Sequence, residues 1–465
     1  MKRLFPIIAL LSTACATTSP LLEPQVSPAP AWSESATADA AAVSAEWWQS
    51  FRSEELQALV NQALAGSPDL AIAIERVRQA EAQMRVAGAS LFPQVDVAVS
   101  SSARASRDQN TSSRSESSGT ALSASYELDL WGRNAADLRG AEAAARATAF
   151  DRDTARLTLI AGVANAYFDV LSLRGRLSTS RENLAIAERV LALVSARARS
   201  GAVSPLDVAR QEATVLSQRA ALLPLEQQER QTLAALAVLL GRLPEGFDVQ
   251  ARSLADLAVP SVSPGLPAEL LVRRPDLASA EAQLASANAN LTAARAALLP
   301  SIQLTGSAGV ASGALLGVLS GSTVTAALAA SVLQPIFDGG RLRGQVSIAE
   351  SRERELVVTY RKAILSAFAD VESALAAATR LQQREILQAQ VEERAREALR
   401  LAEVRYREGA DDLLSVLDAQ RTLFDAQDQL AQVRLDRLDG AVALFKALGG
   451  GWQLNDIPGT TASAS

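Results

Sequence analysis

The chain has 465 residues, of which 48% are hydrophobic but only 4% aromatic, a composition that favours long helices packed through small side chains. The formal net charge of -6 gives no electrostatic reason to expect nucleic acid as a partner. Histidine is absent and cysteine occurs once, which excludes histidine-based catalysis, a cysteine metal cluster and an intramolecular disulfide.

The N-terminus predicts a secretory leader over residues 1–15. Its basic residues precede an apolar run that is too short to cross a bilayer in a mature protein. Cys15 follows a small residue, as in bacterial lipoproteins, which predicts lipid attachment there, although Ser12 stands where the lipoprotein motif has an aliphatic residue. The alternative is an ordinary signal peptide with an incidental cysteine. Residues 16–45 are rich in Ala, Ser, Thr and Pro, which predicts a flexible tether.

An internal repeat organises the rest of the chain, because several segments recur at a constant offset of 207 or 208 residues. The recurring pairs include SPDL with RPDL, LFPQV with LLPSI, and RSGAVSPLDV with REGADDLLSV. The first copy is predicted over 46–241 and the second over 267–451. A proline-containing linker, 242–266, joins them, and 452–465 forms a tail.

Each copy is predicted to contain the same elements in the same order. A helix comes first, over roughly 53–90 or 267–299, and a proline ends it. A long helical tract comes last and is broken near Gly201 or Gly409. Pro224 is predicted to kink or interrupt the returning helix of the first copy.

Two segments of alternating apolar and polar residues lie between these helices in each copy. Strict alternation predicts strands with one apolar and one polar face. The strands are predicted near 92–105 and 118–131 in the first copy and near 301–313 and 322–335 in the second. They would be either two soluble hairpins or part of a membrane barrel.

Four strands are too few to close a barrel, and an open sheet cannot sit in lipid with unsatisfied edges. Three chains would supply twelve strands, an even number within the range of known barrels. The secretory leader, the predicted lipid anchor and the very long helices favour this membrane interpretation. The polar face of the strands, which includes Glu127 and Asp129, would then line a water-filled lumen.

The segment 411–433 predicts a helix with two contrasting faces. One face is apolar, with Val416, Leu423 and Leu430 among its members. The other face carries acidic side chains and Arg421, and it begins with an apolar residue, Leu414. An ordinary solvated helix face is one interpretation. The lining of a pore is the other.

Many segments, in order and in duplicate, resemble the TolC-type outer-membrane efflux family and especially its lipoprotein, NodT-type branch. The resemblance covers the chain from about Trp47 to Trp452 and rests on these motifs: WWQSFRSEELQALV, SPDL, LFPQ, ELDLWGR, VANAYFDVL, QPIFDGGRLRGQV, RYREGADDLLSVLDAQRTLFDAQDQL and LFKALGGGW. It implies an α+β membrane protein built as a homotrimer. A twelve-stranded outer-membrane β-barrel would continue into a long α-helical barrel in the periplasm.

The resemblance also implies roles for five positions near the turns between the long helices. Leu414 matches an apolar constriction, Asp418 an acidic ring, and Arg421 a basic neighbour one turn on. Tyr406 matches a tyrosine that ties adjacent helices together, and Asp207 matches the aspartate that accepts this tie. Three Asp418 carboxylates near a threefold axis would repel one another, and three Leu414 side chains would resist wetting.

Two positions depart from the pattern of some relatives. Ser415 stands where they have a second acidic residue, and Asp411 stands where they have an arginine after the turn glycine. The details of the tie network therefore do not carry over from the family to this chain.

The implied function is a passive, gated outer-membrane exit duct of a tripartite efflux system for small molecules. Its partners would be a periplasmic adaptor and an inner-membrane pump, most readily of the resistance-nodulation-division type, with no nucleic acid and no cofactor beyond the lipid on Cys15. A type I protein-secretion duct is the alternative within this class. A non-pore periplasmic adaptor, or a hydrolase using Glu127 and Asp129, are the alternatives outside it.

Overall fold

A computed structural model describes residues 26, 29–33, 43–108, 111–313 and 323–453 of the chain. The leader, Cys15, most of the 16–45 tether and most of the C-terminal tail lie outside these residues. The chain divides into two compact units. Among the described residues, unit 1 comprises 76–149 and 279–362, and unit 2 comprises 26–75, 150–278 and 363–453.

The described chain contains eight α-helices and four β-strands. The elements of the first copy are α1 (Glu54–Gly66), α2 (Pro68–Ala89), β1 (Gln94–Asp108), β2 (Thr111–Leu128), α3 (Arg133–Arg199) and α4 (Pro205–Leu239). The elements of the second copy are α5 (Leu270–Arg273), α6 (Pro275–Ala296), β3 (Ser301–Ser312), β4 (Thr323–Leu333), α7 (Arg341–Arg407) and α8 (Leu413–Ala447).

The helices repeat in length as well as in order. α2 and α6 have 22 residues each, α3 and α7 have 67 each, and α4 and α8 have 35 each. The strands differ more, with 15 and 18 residues in the first copy against 12 and 11 in the second.

The opening helix of each copy differs from the prediction, because it is divided in two. The breaks fall at Ser67 and Arg274, whose ψ angles of 126° and 123° are extended rather than helical. A proline follows each residue, and its ring disfavours the helical conformation at the preceding position. Pro224, by contrast, lies inside α4, which continues through it without interruption.

Unit 1 contains an antiparallel sheet in the order β1-β2-β3-β4. The register places the alternating apolar residues of all four strands on one face of the sheet. One cross-strand row, for example, is Val95–Ala124–Gly306–Leu328. The opposite face carries polar or small side chains, for example in the row Asp96–Ser123–Ser307–Ala327. The predicted two-faced sheet is therefore present across both copies.

The apolar face of this sheet is largely uncovered in the single chain. Val97 is 69% exposed, and Leu328 is 93% exposed. β1 and β4 form the edges of the described sheet, so each presents one row of backbone groups without a strand partner. An exposed apolar face bounded by two open edges requires a further partner.

Unit 2 is a helical structure with an aromatic cluster near Trp47. The Trp47 ring stacks on Phe445 at 4.9 Å between centroids, and Phe51 packs against Phe168 at 5.0 Å. Among the described helices, α3 has one 18-residue window long and apolar enough to cross a membrane, but 61% of that window is buried in the protein. Such burial is typical of a helix that packs in the core of a protein.

The segment 29–33 packs against α7 instead of extending freely as the tether prediction implies. Trp32 donates its indole N–H to the Gly265 carbonyl at 2.9 Å and lies 5.8 Å from the Phe368 ring. The backbone N–H of Ser33 donates to Glu372 at 3.0 Å. This part of the N-terminal segment is fixed to unit 2.

The inter-repeat linker is held by a nearly buried arginine of α3. The Arg174 guanidinium donates to the Glu229 carboxylate at 2.7 Å, to the Val249 carbonyl at 2.6 Å and to the Ala251 carbonyl at 2.9 Å. Its fork-shaped set of donors can bind a carboxylate and backbone oxygens together, which anchors an irregular segment on the helices.

A half-buried carboxyl group on α8, that of Asp439, makes the stability of unit 2 dependent on pH. Burial, reinforced by the negative charges of Asp169 and Asp436, raises the pKa of the Asp439 carboxyl to about 7. Its Oδ1 atom has no hydrogen-bond partner among the described residues. Between an ordinary aspartate pKa of about 4 and this value, the folded chain holds a proton that the unfolded chain has lost, so stability falls as pH rises.

We expect Asp439→Asn to raise the thermal unfolding midpoint at pH 8, where the native carboxylate is charged. The gain should shrink at pH 5, where the native side chain is already neutral. Unfolding followed by circular dichroism in detergent measures both values. Thr422→Ala, an exposed change on the same helix that involves no ionisable group, is the control and should show no such pH dependence. An equal gain in the unfolding midpoint at both pH values would contradict the raised pKa of Asp439.

Candidate functional site

The turns that follow α3 and α7 are built alike. Gly201 and Gly409 have φ values of 75° and 77°, a region that glycine adopts without steric cost. Ser204 then caps α4 by accepting a hydrogen bond from the Asp207 N–H, and Asp412 caps α8 by accepting one from the Ser415 N–H. The predicted breaks near the two glycines therefore occur as tight turns, and they fix where α4 and α8 begin.

α8 has the two faces that its sequence predicts. The apolar residues of one face are at least half-buried, and Val416, Leu423 and Val433 are 0–2% exposed. The opposite face is exposed and comprises Leu414, Asp418, Arg421, Asp425 and Asp428. The same helix therefore contributes to the core on one side and presents a charged stripe on the other.

Leu414 heads this stripe at a position open to solvent, with 59% of the residue exposed. It lines a groove of about 610 Å³ between α4 and α8. Arg210 and Ser217 line the α4 side of the groove, and Asp418 and Arg421 line the α8 side. The leucine side chain is therefore mostly exposed beside two charged groups in the single chain.

Asp418 and Arg421 form an ion pair on this face, with 3.4 Å between Arg421 Nη2 and Asp418 Oδ1. Both side chains are mostly exposed, so the pair contributes only about 0–1 kcal/mol to stability. Asp428 instead binds Arg176 of α3, at 2.7 Å. The pair at Asp418 is therefore available for rearrangement, whereas Asp428 helps to hold α8 against α3.

The structure gives Tyr406 a different contact from the predicted one. The Arg197 guanidinium lies 4.7 Å from the Tyr406 ring centroid and also donates to the Tyr406 carbonyl at 2.5 Å. The buried phenol oxygen has no hydrogen-bond partner among the described residues, and the Asp207 carboxylate accepts from Ser204 instead. The direct hydrogen bond between Tyr406 and Asp207 is therefore not made within this chain.

Asp207 nevertheless acts on the phenol electrostatically. Burial raises the pKa of Tyr406 above its ordinary value, the Arg197 charge opposes this rise and the Asp207 charge adds to it. Tyr406 and Asp207 thus lie in one electrostatic environment without touching, and Arg197 makes the contact between the ends of α3 and α7.

Sequence reasoning missed Arg197 and the ion pair between Arg405 and Asp411, which measures 2.7 Å. The repeat could have indicated both, because Arg197 and Arg405 occupy the last turn of the two equivalent long helices. A cation there is favoured by the helix dipole and can bind the turn that follows. Asp411, which departs from the pattern of some relatives, is the partner of Arg405.

The two carboxylates considered for a hydrolase have structural partners in unit 1. Asp129 accepts hydrogen bonds from the N–H groups of Asn134 and Ala135, at 3.1 and 2.8 Å, and so caps α3. Glu127 pairs with Arg133 at 2.9 Å. Both carboxylates therefore support the joint between β2 and α3.

The family model for outer membrane efflux proteins matches residues 59–242 and 266–450. The two matched segments follow the two copies of the repeat. The match covers most of the chain.

Two curated relatives align over nearly their full lengths. The pyoverdine export outer membrane protein OpmQ of Pseudomonas aeruginosa is 43% identical over 465 residues, which cover 97% of the chain and 98% of that protein. The outer membrane protein OprJ of the same species is 35% identical, over 96% of the chain and 95% of that protein.

Solved channel structures share the fold. The outer-membrane channel OprN aligns with a TM-score of 0.86 at 29% identity, over 94% of the chain and 100% of that channel. The open state of the MtrE outer membrane channel of Neisseria gonorrhoeae aligns with a TM-score of 0.82 at 31% identity, over 94% and 98%.

Proposed function

Because the chain belongs to the outer membrane efflux protein family, we propose that it is the gated exit duct of a tripartite efflux system. Its fold is that of outer-membrane efflux channels, and its place is the outer membrane. The duct is passive: energy and selection come from an inner-membrane pump, proposed to be of the resistance-nodulation-division type, to which a periplasmic adaptor connects it.

The observation that carries the proposal is the exposed apolar face of the four-stranded sheet in unit 1. In lipid, unpaired backbone groups at the edges of β1 and β4 would each cost several kcal/mol, on the order of an unmade hydrogen bond. Pairing β4 of one copy with β1 of the next satisfies both edges. Three copies then close twelve strands, with the apolar face toward lipid and the polar face toward water.

The long helices supply the periplasmic part of the duct. Each of α3 and α7 has 67 residues, which corresponds to about 100 Å of helix at 1.5 Å per residue. In the trimer six such helices, with their α4 and α8 partners, would enclose the path from the barrel toward the adaptor.

The exposed face of α8 is proposed to form the gate. Three copies of Leu414 near the threefold axis would make a narrow apolar ring that resists wetting. Three Asp418 carboxylates, one turn further along, would repel one another unless each keeps its ion pair with Arg421. The closed gate therefore combines a hydrophobic constriction with a charge ring that is neutralised locally.

Opening requires the ends of the long helices to separate near the turns. Arg197, which lies against Tyr406, is one contact between α3 and α7 near these turns. A cation–π contact contributes about 0.5–2 kcal/mol, a barrier that a docked adaptor can offset with its own contacts.

Small molecules are the proposed cargo. The relative OpmQ is named for pyoverdine export, and this name favours small-molecule efflux over polypeptide secretion. The family match also favours a channel over a non-pore adaptor.

We expect Leu414→Ser and Asp418→Ala each to raise the closed-state ion conductance of purified trimers in planar bilayers. The serine admits water to the constriction, and the alanine removes the charge that holds Arg421 in place.

Gln429→Ala, an exposed change about two turns beyond Arg421 on the same helix, is the control and should leave conductance unchanged. Closed-state conductance that stays at the parental value in both Leu414 and Asp418 variants would remove these residues from the gate.

Cys15 is proposed to carry a covalent lipid that anchors the N-terminus. We expect Cys15→Ala to abolish metabolic labelling with palmitate while trimers still form, because the barrel itself spans the membrane. Labelling that persists in this variant would contradict lipid attachment at Cys15.

A further inference from the structure

The hairpin of β1 and β2 extends beyond the rest of the sheet. β2 pairs with β3 from Ser118 to Leu128, whereas residues 111–117 of β2 pair with β1 and lie past the end of β3 in the described sheet. At 3.3 Å per residue, this extension is about 23 Å long. Residues 102–108 and 111–117 are called the hairpin tip here. α2 and α3 adjoin the opposite end of the hairpin, so the tip lies at the outer surface in the proposed duct.

The register separates the arginines of the tip between two faces, because successive residues of a strand alternate in direction. Arg107 and Arg114 continue the apolar face that carries Val97 and Leu122. Arg104 lies on the opposite, polar face. In the proposed barrel the first two arginines therefore adjoin lipid, and Arg104 faces the lumen.

The two lipid-side arginines begin just beyond the apolar part of their face. That part runs along β2 from Leu128 to Ser118, which is 11 residues, and a tilted strand needs about 9–11 residues to cross a bilayer. Arg114 follows Ser118 after four residues. At 3.3 Å per residue and a tilt of about 40°, Arg114 lies about 10 Å outside the hydrocarbon. This is a level that lipid headgroups occupy.

The two guanidinium groups are close enough to act together. Arg107 is opposite Ser112 and Arg114 is opposite Ala105, so the arginines are diagonal neighbours, about 7–8 Å apart at the backbone. Both are exposed. Arg114 binds Glu116 through Nη2 at 2.9 Å, but its side chain is 76% exposed. Such an exposed pair is weak, and a guanidinium has five N–H donors, so Arg114 can bind an anion as well.

We propose that Arg107 and Arg114 bind phosphate groups of the anionic glycolipid in the outer leaflet, lipopolysaccharide. The arginine fork matches phosphate oxygens with two parallel hydrogen bonds, which a lysine or a serine does not provide. The occupant is a lipid because the two arginines continue the face that adjoins lipid, and their long stems can pack along that surface. Three such pairs would hold glycolipid around the rim of the barrel, so this site rests on the proposed trimeric duct.

Native mass spectrometry of the detergent-purified complex tests the site, because it reports bound lipid and the number of chains together. The complex is titrated with lipid A that carries both phosphates, and separately with the same lipid A after its phosphates have been removed. Arg107→Gln and Arg104→Gln remove the same charge from the same strand, three residues apart, but from opposite faces. Arg107→Gln combined with Arg114→Gln removes the whole site.

We expect the double variant to raise the Kd for phosphorylated lipid A by about tenfold or more, since charge-assisted hydrogen bonds are lost. Arg107→Gln should weaken binding several-fold, whereas Arg104→Gln should leave the Kd within about twofold of the parental value. Removal of the phosphates should reduce parental binding to the level of the double variant.

Two results would overturn the glycolipid site while trimers persist and the duct stands. One is equal parental affinity for the two forms of lipid A. The other is an equal loss of affinity in Arg104→Gln and Arg107→Gln. Monomers in the same spectra would overturn the trimeric duct and the site together.

Discussion

The constraint on which the molecule depends is the satisfaction of backbone hydrogen bonds at the edges of a four-stranded sheet. Water can satisfy the open edges of β1 and β4, but lipid cannot. The aligned apolar face of the sheet requires lipid, because Val97 and Leu328 are exposed in the single chain. These two requirements are compatible only when copies pair edge to edge. In the proposed assembly the oligomer is therefore a condition for membrane insertion, and the proposed gate and helical tube follow from the same threefold symmetry.

The internal duplication gives the chain two copies of each helix and strand, and equivalent residues of the two copies have different roles in the account. Leu206 and Leu414 are equivalent in the repeat, and both are exposed just after the turn. Leu414 belongs to the face of α8 that carries Asp418, whereas Leu206 is exposed in the first turn of α4. Only the residue of the second copy is assigned to the proposed constriction.

Sequence alone predicted the repeat, the four strands and the two faces of α8, because each rests on a periodic pattern that local backbone geometry imposes. Three strands lie within three residues of their predicted bounds, whereas β2 begins seven residues before its predicted start. It missed the breaks at Ser67 and Arg274, where a proline acts on the residue before it. It also missed Arg197 as the partner of Tyr406, since this contact joins helices more than 200 residues apart. Pairing of side chains across helices depends on their rotation, which periodicity does not determine.

The central claim is that three chains together make one closed barrel. Native mass spectrometry of the complex, released from lipid nanodiscs, measures the number of chains directly. The account predicts a single assembly of three chains, each close to 48.9 kDa less any removed leader and plus any lipid. A monomer that remains folded and membrane-inserted, or an assembly whose copy number is not three, would contradict it.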